Sequence, residues 1–536
     1  MIANGRSADT PTLRIVVPCI AHEFGNERYP NMKSLSKSRY TAFCQCPKNL
    51  WLGVFKRDEA VIDDAAKARF EEGNVVGDLA MGLFGNYKEA HAEKPDGSLD
   101  LSAMIAQTQQ FMASGVENIC EASFSIDGNY CAVDILRKNG DGWDIYEVKS
   151  STYHDDKTDT AKHLLVYSRD IAYQKWVLER CGVKVKGCYL VRLDSNYVRG
   201  KELDIQDLFH IKDMKELVDN EYLKVPTNVK RAKSVLAGDE PDEPVALHCH
   251  EPYDCAFFQY CTKGMQYPNV FNMYRMNFQR KCELYNQGKI YYEDLRDENL
   301  TDIQRLQVET SLNGTQLVTP EDIREFLKKL TYPLYFLDFE TMQQAIPEYE
   351  GTKPYQQVTF QYSLHWIEEE GGELKHSEFL GDSVHDPRRA LAEQLCKDIP
   401  KSVCTTAYNK GFECGRLKEL ADAYPDLRNH LLDIRDHIVD LIEPFRQKMV
   451  YLPEMNGSFS IKHVLPALQP DDPALNYSNL EGSVHNGGEA MTIYPLIATM
   501  TPSEAAAARE SLLKYCWLDT YAMVKVWEKL REMAIS

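Results

Sequence analysis

The sequence predicts an α/β protein made of two α/β regions joined by a helical connector. Three observations predict it. Helical and strand-like periods alternate from Leu35 to about Thr262. A polar stretch of helical period follows, from about Gly264 to Leu330, ending in PEDIREFLKKL. From Tyr332 an apolar strand, YPLYFLDFE, opens a second alternating region that closes on the amphipathic helix SEAAAARESLLKYCWLDTYAMVKVWEKL. The divisions this implies are 1–32, a weakly ordered segment; 33–263, the first domain; 264–330, the connector; and 331–536, the second domain. A chain of 536 residues suits two large domains with a connector, at about 150 residues for an average domain.

Within the first domain, helical period marks Arg39 to Phe55, Ala65 to Leu83 and Ile171 to Cys181. Strand-like runs are Ala122 to Ile126, Asn129 to Leu136, Asp144 to Lys149 and Lys186 to Leu193. Asn139-Gly140-Asp141-Gly142 between the second and third of these is a hairpin turn by composition.

Composition narrows the function classes. Hydrophobic residues are 43% and charged residues 26%, which is ordinary globular usage and excludes bulk disorder. No stretch reaches the roughly 18 apolar residues a membrane span needs, so no membrane partner is expected. The N-terminus does not read as a secretion signal, because Arg14 and Pro18 interrupt its apolar run. Sixty-one Lys plus Arg against 81 Asp plus Glu leave a net charge of −20, so indiscriminate coating of duplex nucleic acid is not expected. Fifteen cysteines, in a chain long enough to do without disulfides, favour the reducing cytoplasm.

Asp134 lies on the first hairpin strand (CAVDIL), and Glu147 and Lys149 on the second (YEVKSS). Side chains alternate faces along a strand, so Glu147 and Lys149 project together. Two carboxylates and an ammonium on one surface can hold divalent cations, activate a water and stabilise the charge of a phosphoryl transition state. An exposed E-x-K strand without function is the plainer alternative. With their apolar flanks and hairpin, these residues resemble the PD-(D/E)XK nuclease core, which implies a restriction-endonuclease-like N-terminal domain. FEEGNVVGDLAMGLF and DIAYQKWVLERCG resemble two helices of its RecB-like branch, with Gln174 at the motif glutamine. The resemblance implies catalytic roles for Asp134, Glu147, Lys149 and Gln174, the two acids as metal ligands. Gly77 stands where many relatives carry a metal-binding His, and Leu178 where an aromatic residue is usual.

Cys249, Cys255 and Cys261 fall close together, and TAFCQCPKNLWL supplies Cys44 and Cys46 far upstream. One cysteine before and three after a nuclease core resembles the iron–sulfur RecB-like nucleases. The resemblance implies a [4Fe–4S] cluster on Cys46, Cys249, Cys255 and Cys261. Zinc is the alternative, because His248 and His250 flank Cys249.

In the second domain, Asp338 and Glu340 stand two apart on a strand and so share a face. TAYNKGFECGRL places Asn409 and Glu413 near a helix start, and YCWLD places Tyr515 and Asp519 on one helical face. Grouped carboxylates need cations, and paired Mg²⁺ or Mn²⁺ support hydrolysis of a phosphodiester. The order D-x-E, N-x-x-F-acid, Y-x-x-x-D resembles the tyrosine subtype of the DEDD exonucleases, which implies an RNase H-like C-terminal domain. The resemblance makes Asp338, Glu340, Glu413 and Asp519 metal ligands, Tyr515 a water-positioning residue, and a 3′ end the substrate. Glu413 replaces the usual Asp. Asp440 and Lys462 are weaker candidates. The combined layout, from about Leu35 onward, resembles bacterial proteins assigned mainly to an uncharacterised domain family.

The expectation is a metal-dependent nuclease, a DNA exonuclease with two active sites, acting on single-stranded DNA or DNA with free ends. The alternatives are a nucleic-acid-binding or assembly module with weakened sites, motivated by Gly77 and Glu413, and an RNA-processing nuclease. Lys33, Lys37, Arg39, Lys48, Lys56 and Arg57, interleaved with Tyr40, Trp51 and Phe55, read either as a strand-tracking surface or as a solvated helix face. His163, His365 and His485 read as structural.

Overall fold

The structure is a computed structural model that describes residues 34–154 and 161–535. The segment expected to be weakly ordered, 1–32, and Lys33 lie outside the described residues. The chain is mixed α/β, with two main sheets. Among the described residues no helix is long and apolar enough to cross a membrane.

The first sheet has seven strands: β1 (Leu35–Ser36), β2 (Lys88–Glu89), β3 (Asn118–Ile126), β4 (Asn129–Asn139), β5 (Gly142–Tyr153), β6 (Val185–Asp194) and β7 (Phe209–Asp213). The order is β2-β3-β4-β5-β6-β7, with β1 on the start of β4. β3, β4 and β5 form an antiparallel meander, and β6 joins β5 in parallel. The predicted hairpin forms: Asn139 pairs with Gly142, and Gly140 takes the positive φ of 56° that the tight turn demands.

Helices α1 (Lys37–Gln45), α2 (Pro47–Phe55), α3 (Asp64–Ala80), α4 (Leu101–Ala113) and α5 (Ala161–Arg180) accompany the sheet. The single helical period over Arg39 to Phe55 becomes two helices, because Pro47 offers no N–H to continue the first ladder. Cys46 is left extended at the elbow, at φ −158° and ψ 126°. Strand β5 is buried continuously from Gly142 to Val148, covered on both faces. One face packs Ile145 and Val133 against Ile171 and Leu178 of α5; the other packs Tyr146 and Val148 against Val76 and Ala80 of α3.

The connector region holds α6 (Phe278–Asn286), α7 (Asp302–Asn313) and α8 (Pro320–Leu327). Ile323, Phe326 and Leu330 pack into the second domain's core, and β8 (Leu317–Val318) pairs with β14 (Val450–Tyr451). The amphipathic stretch PEDIREFLKKL is therefore anchored to the second domain by its apolar stripe.

The second sheet contains β9 (Leu334–Gln343), β10 (Gln357–Ile367), β11 (Leu374–Leu380), β12 (Cys404–Ala407) and β13 (Ile438–Asp440), in the order β11-β10-β9-β12-β13. β10 and β11 run antiparallel, whereas β12 and β13 run parallel to β9. The helix α9 (Gly411–Ala423) follows β12, and α10 (Pro502–Ile535) lies across one face, burying Leu512, Leu518 and Trp527 with Phe336. The β9–β10 loop docks on the first domain. Glu72 of α3 accepts the Ala345 N–H at 2.8 Å, and the Tyr355 hydroxyl lies 3.1 Å from Glu72 and 2.9 Å from the Ser150 carbonyl on β5.

Candidate functional site

Among the described residues, acidic side chains gather in two clusters, the first and second pockets, and four cysteines line one cavity. In the first pocket the pairing of Ile135 with Tyr146 brings Asp134 and Glu147 to neighbouring strands on one face. Asp134 accepts the Val148 N–H at 2.7 Å, which fixes its carboxylate beside β5. Glu147 is fully buried and is the hub of the pocket. Lys149 Nζ sits 2.5 Å from Glu147 Oε1 and 3.2 Å from Asp170 Oδ2. Gln174 donates to Glu147 at 2.6 Å and to Asp170 at 3.0 Å. All four sequence-predicted residues are thus brought together.

Three further residues join them. Asp170 stands one helical turn before Gln174 on α5. Lys37, at the start of α1, places its ammonium 3.0 Å from Glu147 Oε1 and 3.4 Å from Asp134 Oδ1. Glu121 adopts φ 53° within β3, a left-handed conformation that costs a non-glycine residue on the order of 1 kcal/mol. Burial pushes Glu121 up to about 8, with the charge of Asp134 adding to it. Burial, then Glu147, lifts Asp170 to about 6, and the same two causes raise Asp134. Burial also opposes ionisation of Glu147, but Lys149 and Lys37 outweigh it and hold this carboxyl well below its usual range. Both ammonium groups stay charged, because the surrounding acids overcome their desolvation.

The second pocket gathers Asp338 and Glu340 from β9, Glu413 from the first turn of α9, and Asp519 from α10. Glu340, Glu413 and Asp519 are buried. Asn409 takes φ 66°, which Asn tolerates better than most residues, and this turn launches α9. Asp440 holds the turn, accepting N–H groups of Asn409 at 2.8 Å and Lys410 at 3.2 Å. Its place is therefore to position Glu413. Burial, then repulsion from Asp519, Glu340 and Glu413, raises Asp338 far above the carboxylate range. Glu340 is raised by burial and Asp519, and Glu413 reaches about 8 mainly through burial. One Glu413 oxygen, Oε2, is buried without a hydrogen-bond partner, a costly state for a carboxyl group unless something else pairs with it.

Tyr515 lies one turn before Asp519 and close to its carboxylate; burial and three acids keep its hydroxyl protonated. Tyr477, not singled out by the sequence, donates to Asp519 Oδ1 at 2.6 Å. Lys462 Nζ lies 4.7 Å from the Tyr477 ring centre and 5.2 Å from that of Tyr515, so this weaker candidate borders the pocket. Asp338, Glu340 and Cys516 have ligand atoms within 4.8 Å of one another, a grouping able to hold a metal ion. Cys516 follows Tyr515 directly but gave no pattern in the sequence.

Cys46, Cys249, Cys255 and Cys261 line one cavity with Lys48, His248 and Phe257. The Cys255 N–H donates to the Cys249 carbonyl at 2.8 Å, folding the loop so that both thiols face it. Burial raises all four thiols, with Cys255 pushed up to about 11. Burial therefore keeps the four as neutral thiols, and a strongly thiophilic metal or cluster is the kind of partner that would draw off their protons. Cys44 turns away, into hydrogen-bonding reach of Tyr40, and His250 is paired with Asp254. Cys282 of α6 packs against Cys249 and was not anticipated.

Three described members of the basic run are paired with acids. Lys37 enters the first pocket, and Lys48 and Lys56 pair with Glu240 at 3.0 and 3.3 Å. Tyr40 is buried on Tyr173, and Trp51 packs on Phe55 and donates to the Gly238 carbonyl. His365 is buried and bonded to Thr520, His485 contacts Glu489, and His163 is exposed.

A family profile described as a domain of unknown function, DUF2779, matches residues 335–460, a span holding Asp338, Glu340, Glu413 and Asp440. Uncharacterized protein UU173 of Ureaplasma parvum serovar 3 is 28% identical over 223 residues, covering 38% of this chain and 31% of the relative. The uncharacterized protein MG366 homolog of Mycoplasma pneumoniae is 22% identical over 215 residues, covering 37% and 32%. The chain spans about a third of the length of these two curated relatives. The chain therefore carries a region similar to DUF2779 and shares distant similarity with these two mycoplasmal proteins.

Proposed function

We propose that the chain is a metal-dependent nuclease with two phosphodiester-hydrolysing pockets, acting on DNA that is single-stranded or has free ends. The observation that carries this reading is the convergence of Asp338, Glu340, Glu413 and Asp519 from three separated elements into one pocket. Their burial and repulsion are relieved by divalent cations. The strand order around β9 supports the RNase H-like reading, and the succession α3–β3–β4–β5–α5–β6 supports the restriction-endonuclease-like one.

Asp134 and Glu147 would hold Mg²⁺ or Mn²⁺ in the first pocket, and the four acids would hold it in the second. Such ions supply Lewis acidity and an activated water. The chain's own groups do the remaining work. Glu147, Asp170 and Gln174 fix the Lys149 ammonium where it can neutralise charge on a phosphate. The protonated Tyr515 hydroxyl is a donor able to orient a water beside Asp519. Cys46, Cys249, Cys255 and Cys261 would hold a [4Fe–4S] cluster and through it would tie the α1–α2 elbow to the 249–261 loop; zinc, with His248, is the alternative.

Two measurements check this. Purified protein with Mn²⁺ should shorten labelled single-stranded DNA, and a chelator should stop it. DNA bound but never cut would favour a binding or assembly module with weakened sites. That second reading draws on Gly77, Glu413 and the Lys37 ammonium lodged between Asp134 and Glu147. Preference for RNA of the same sequence would favour RNA processing. Anaerobically purified protein should absorb near about 400 nm, and Cys255→Ser should lose that band; colourless, zinc-containing protein would favour zinc.

A further inference from the structure

The loop that carries Cys249 and Cys255 also reaches the first acidic pocket. Tyr253, between these cysteines, leaves 55% of its surface exposed, yet its main chain is anchored. Its carbonyl accepts the Gln45 side-chain amide at 2.7 Å, and the same amide holds the His248 carbonyl at 2.8 Å. Its hydroxyl points towards Tyr167, in electrostatic range of Lys149 and Asp170. Tyr167 in turn meets Ser151 at 3.1 Å, and its ring centre lies 5.9 Å from Lys149 Nζ. The main chain is held in place while the ring keeps much of its surface open on the side of the pocket's lysine. A pre-positioned aromatic face accepts any base, because every base has a π face.

We propose that Tyr253 is a substrate-positioning residue of the first pocket, stacking an unpaired base of a nucleic-acid strand whose phosphate lies against Lys149. The inference rests on the nuclease reading of that pocket. It also gives the cysteine loop a second role, because whatever binds the thiols fixes the place of Tyr253.

The test uses full-length, cofactor-loaded protein carrying Asp338→Asn, so that only the first pocket cuts. KM and kcat for Mn²⁺-dependent cleavage of a labelled single-stranded oligonucleotide are compared for this parent, Tyr253→Phe and Tyr253→Ala. The same oligonucleotide with an abasic tract is run in parallel. Tyr253→Ala is expected to raise KM about 10-fold with kcat little changed, and Tyr253→Phe to behave as the parent. The abasic substrate should bring the parent to the level of Tyr253→Ala. Unchanged KM in Tyr253→Ala, a Phe variant as defective as Ala, or an abasic substrate handled normally by the parent would each overturn the proposal while leaving the nuclease reading intact. A parent that does not cut at all would overturn both.

Discussion

Replacing Asp338 by Asn is expected to lower cleavage by the second pocket about 10³-fold, the scale of losing several kcal/mol of cation-mediated transition-state stabilisation. Asn keeps the volume but removes a ligand charge from a group whose members already repel one another. The same substitution should raise the stability of the metal-free protein at neutral pH, because the folded chain no longer has to hold on Asp338 a proton that the unfolded chain releases. A residue needed only for packing would not give this opposite pair of effects. Asp134→Asn should do the corresponding damage in the first pocket, and the double variant should be inert. Cleavage rates of the two single variants, with thermal unfolding of the same samples without metal, make the comparison. Equal loss of activity and stability in either variant would point to a structural role for that acid.

The second large effect is a pH dependence that divalent ions should reverse. Glu121 and Glu413 reach about 8 in the folded chain, and Asp170 about 6, against about 4.3 for Glu and 3.9 for Asp in an unfolded chain. The folded protein therefore binds more protons than the unfolded one in this range, and stability falls as pH rises. The contribution of these groups is present in full below about pH 4 and is lost as pH rises through about 6 and then about 8. Glu147 acts oppositely: its depressed value adds stability at neutral pH that is lost only in strong acid. Cations bind the deprotonated acids, so the rise in melting temperature on adding Mn²⁺ should grow between pH 6 and pH 9. Melting curves of metal-free protein that are flat over this interval would show that the acids ionise without cost.

What the sequence revealed depended on whether the physics was local. The hairpin was legible because Gly140 is one of the few residues at ease with φ 56° in a two-residue turn. Glu147 with Lys149, Asp338 with Glu340, and Tyr515 with Asp519 were legible because strand and helix periods alone set their faces. Lys37 was not: in sequence it belongs to a basic run, and only the pairing of β1 with β4 carries it to the acids of the first pocket. Glu121 enters through a left-handed residue within a strand, which no pattern announces. Tyr477 and Cys516 reach the second pocket through packing between distant segments. Asp170 could have been found, since it stands four residues before Gln174 on the same helical face. The break at Cys46 was also written in the chain, in Pro47, but the apolar period running through it concealed the elbow.

If carboxylates far apart in the chain are gathered to hold divalent ions, the ions alone should find them. Titrating metal-free protein with Mn²⁺ and following free ion by electron paramagnetic resonance tests it without reference to any substrate. Two saturable classes of site are predicted, one abolished by Asp134→Asn and the other by Asp338→Asn. Binding that is absent from the wild type, or that survives unchanged in the double variant, would mean that these acids hold no ions.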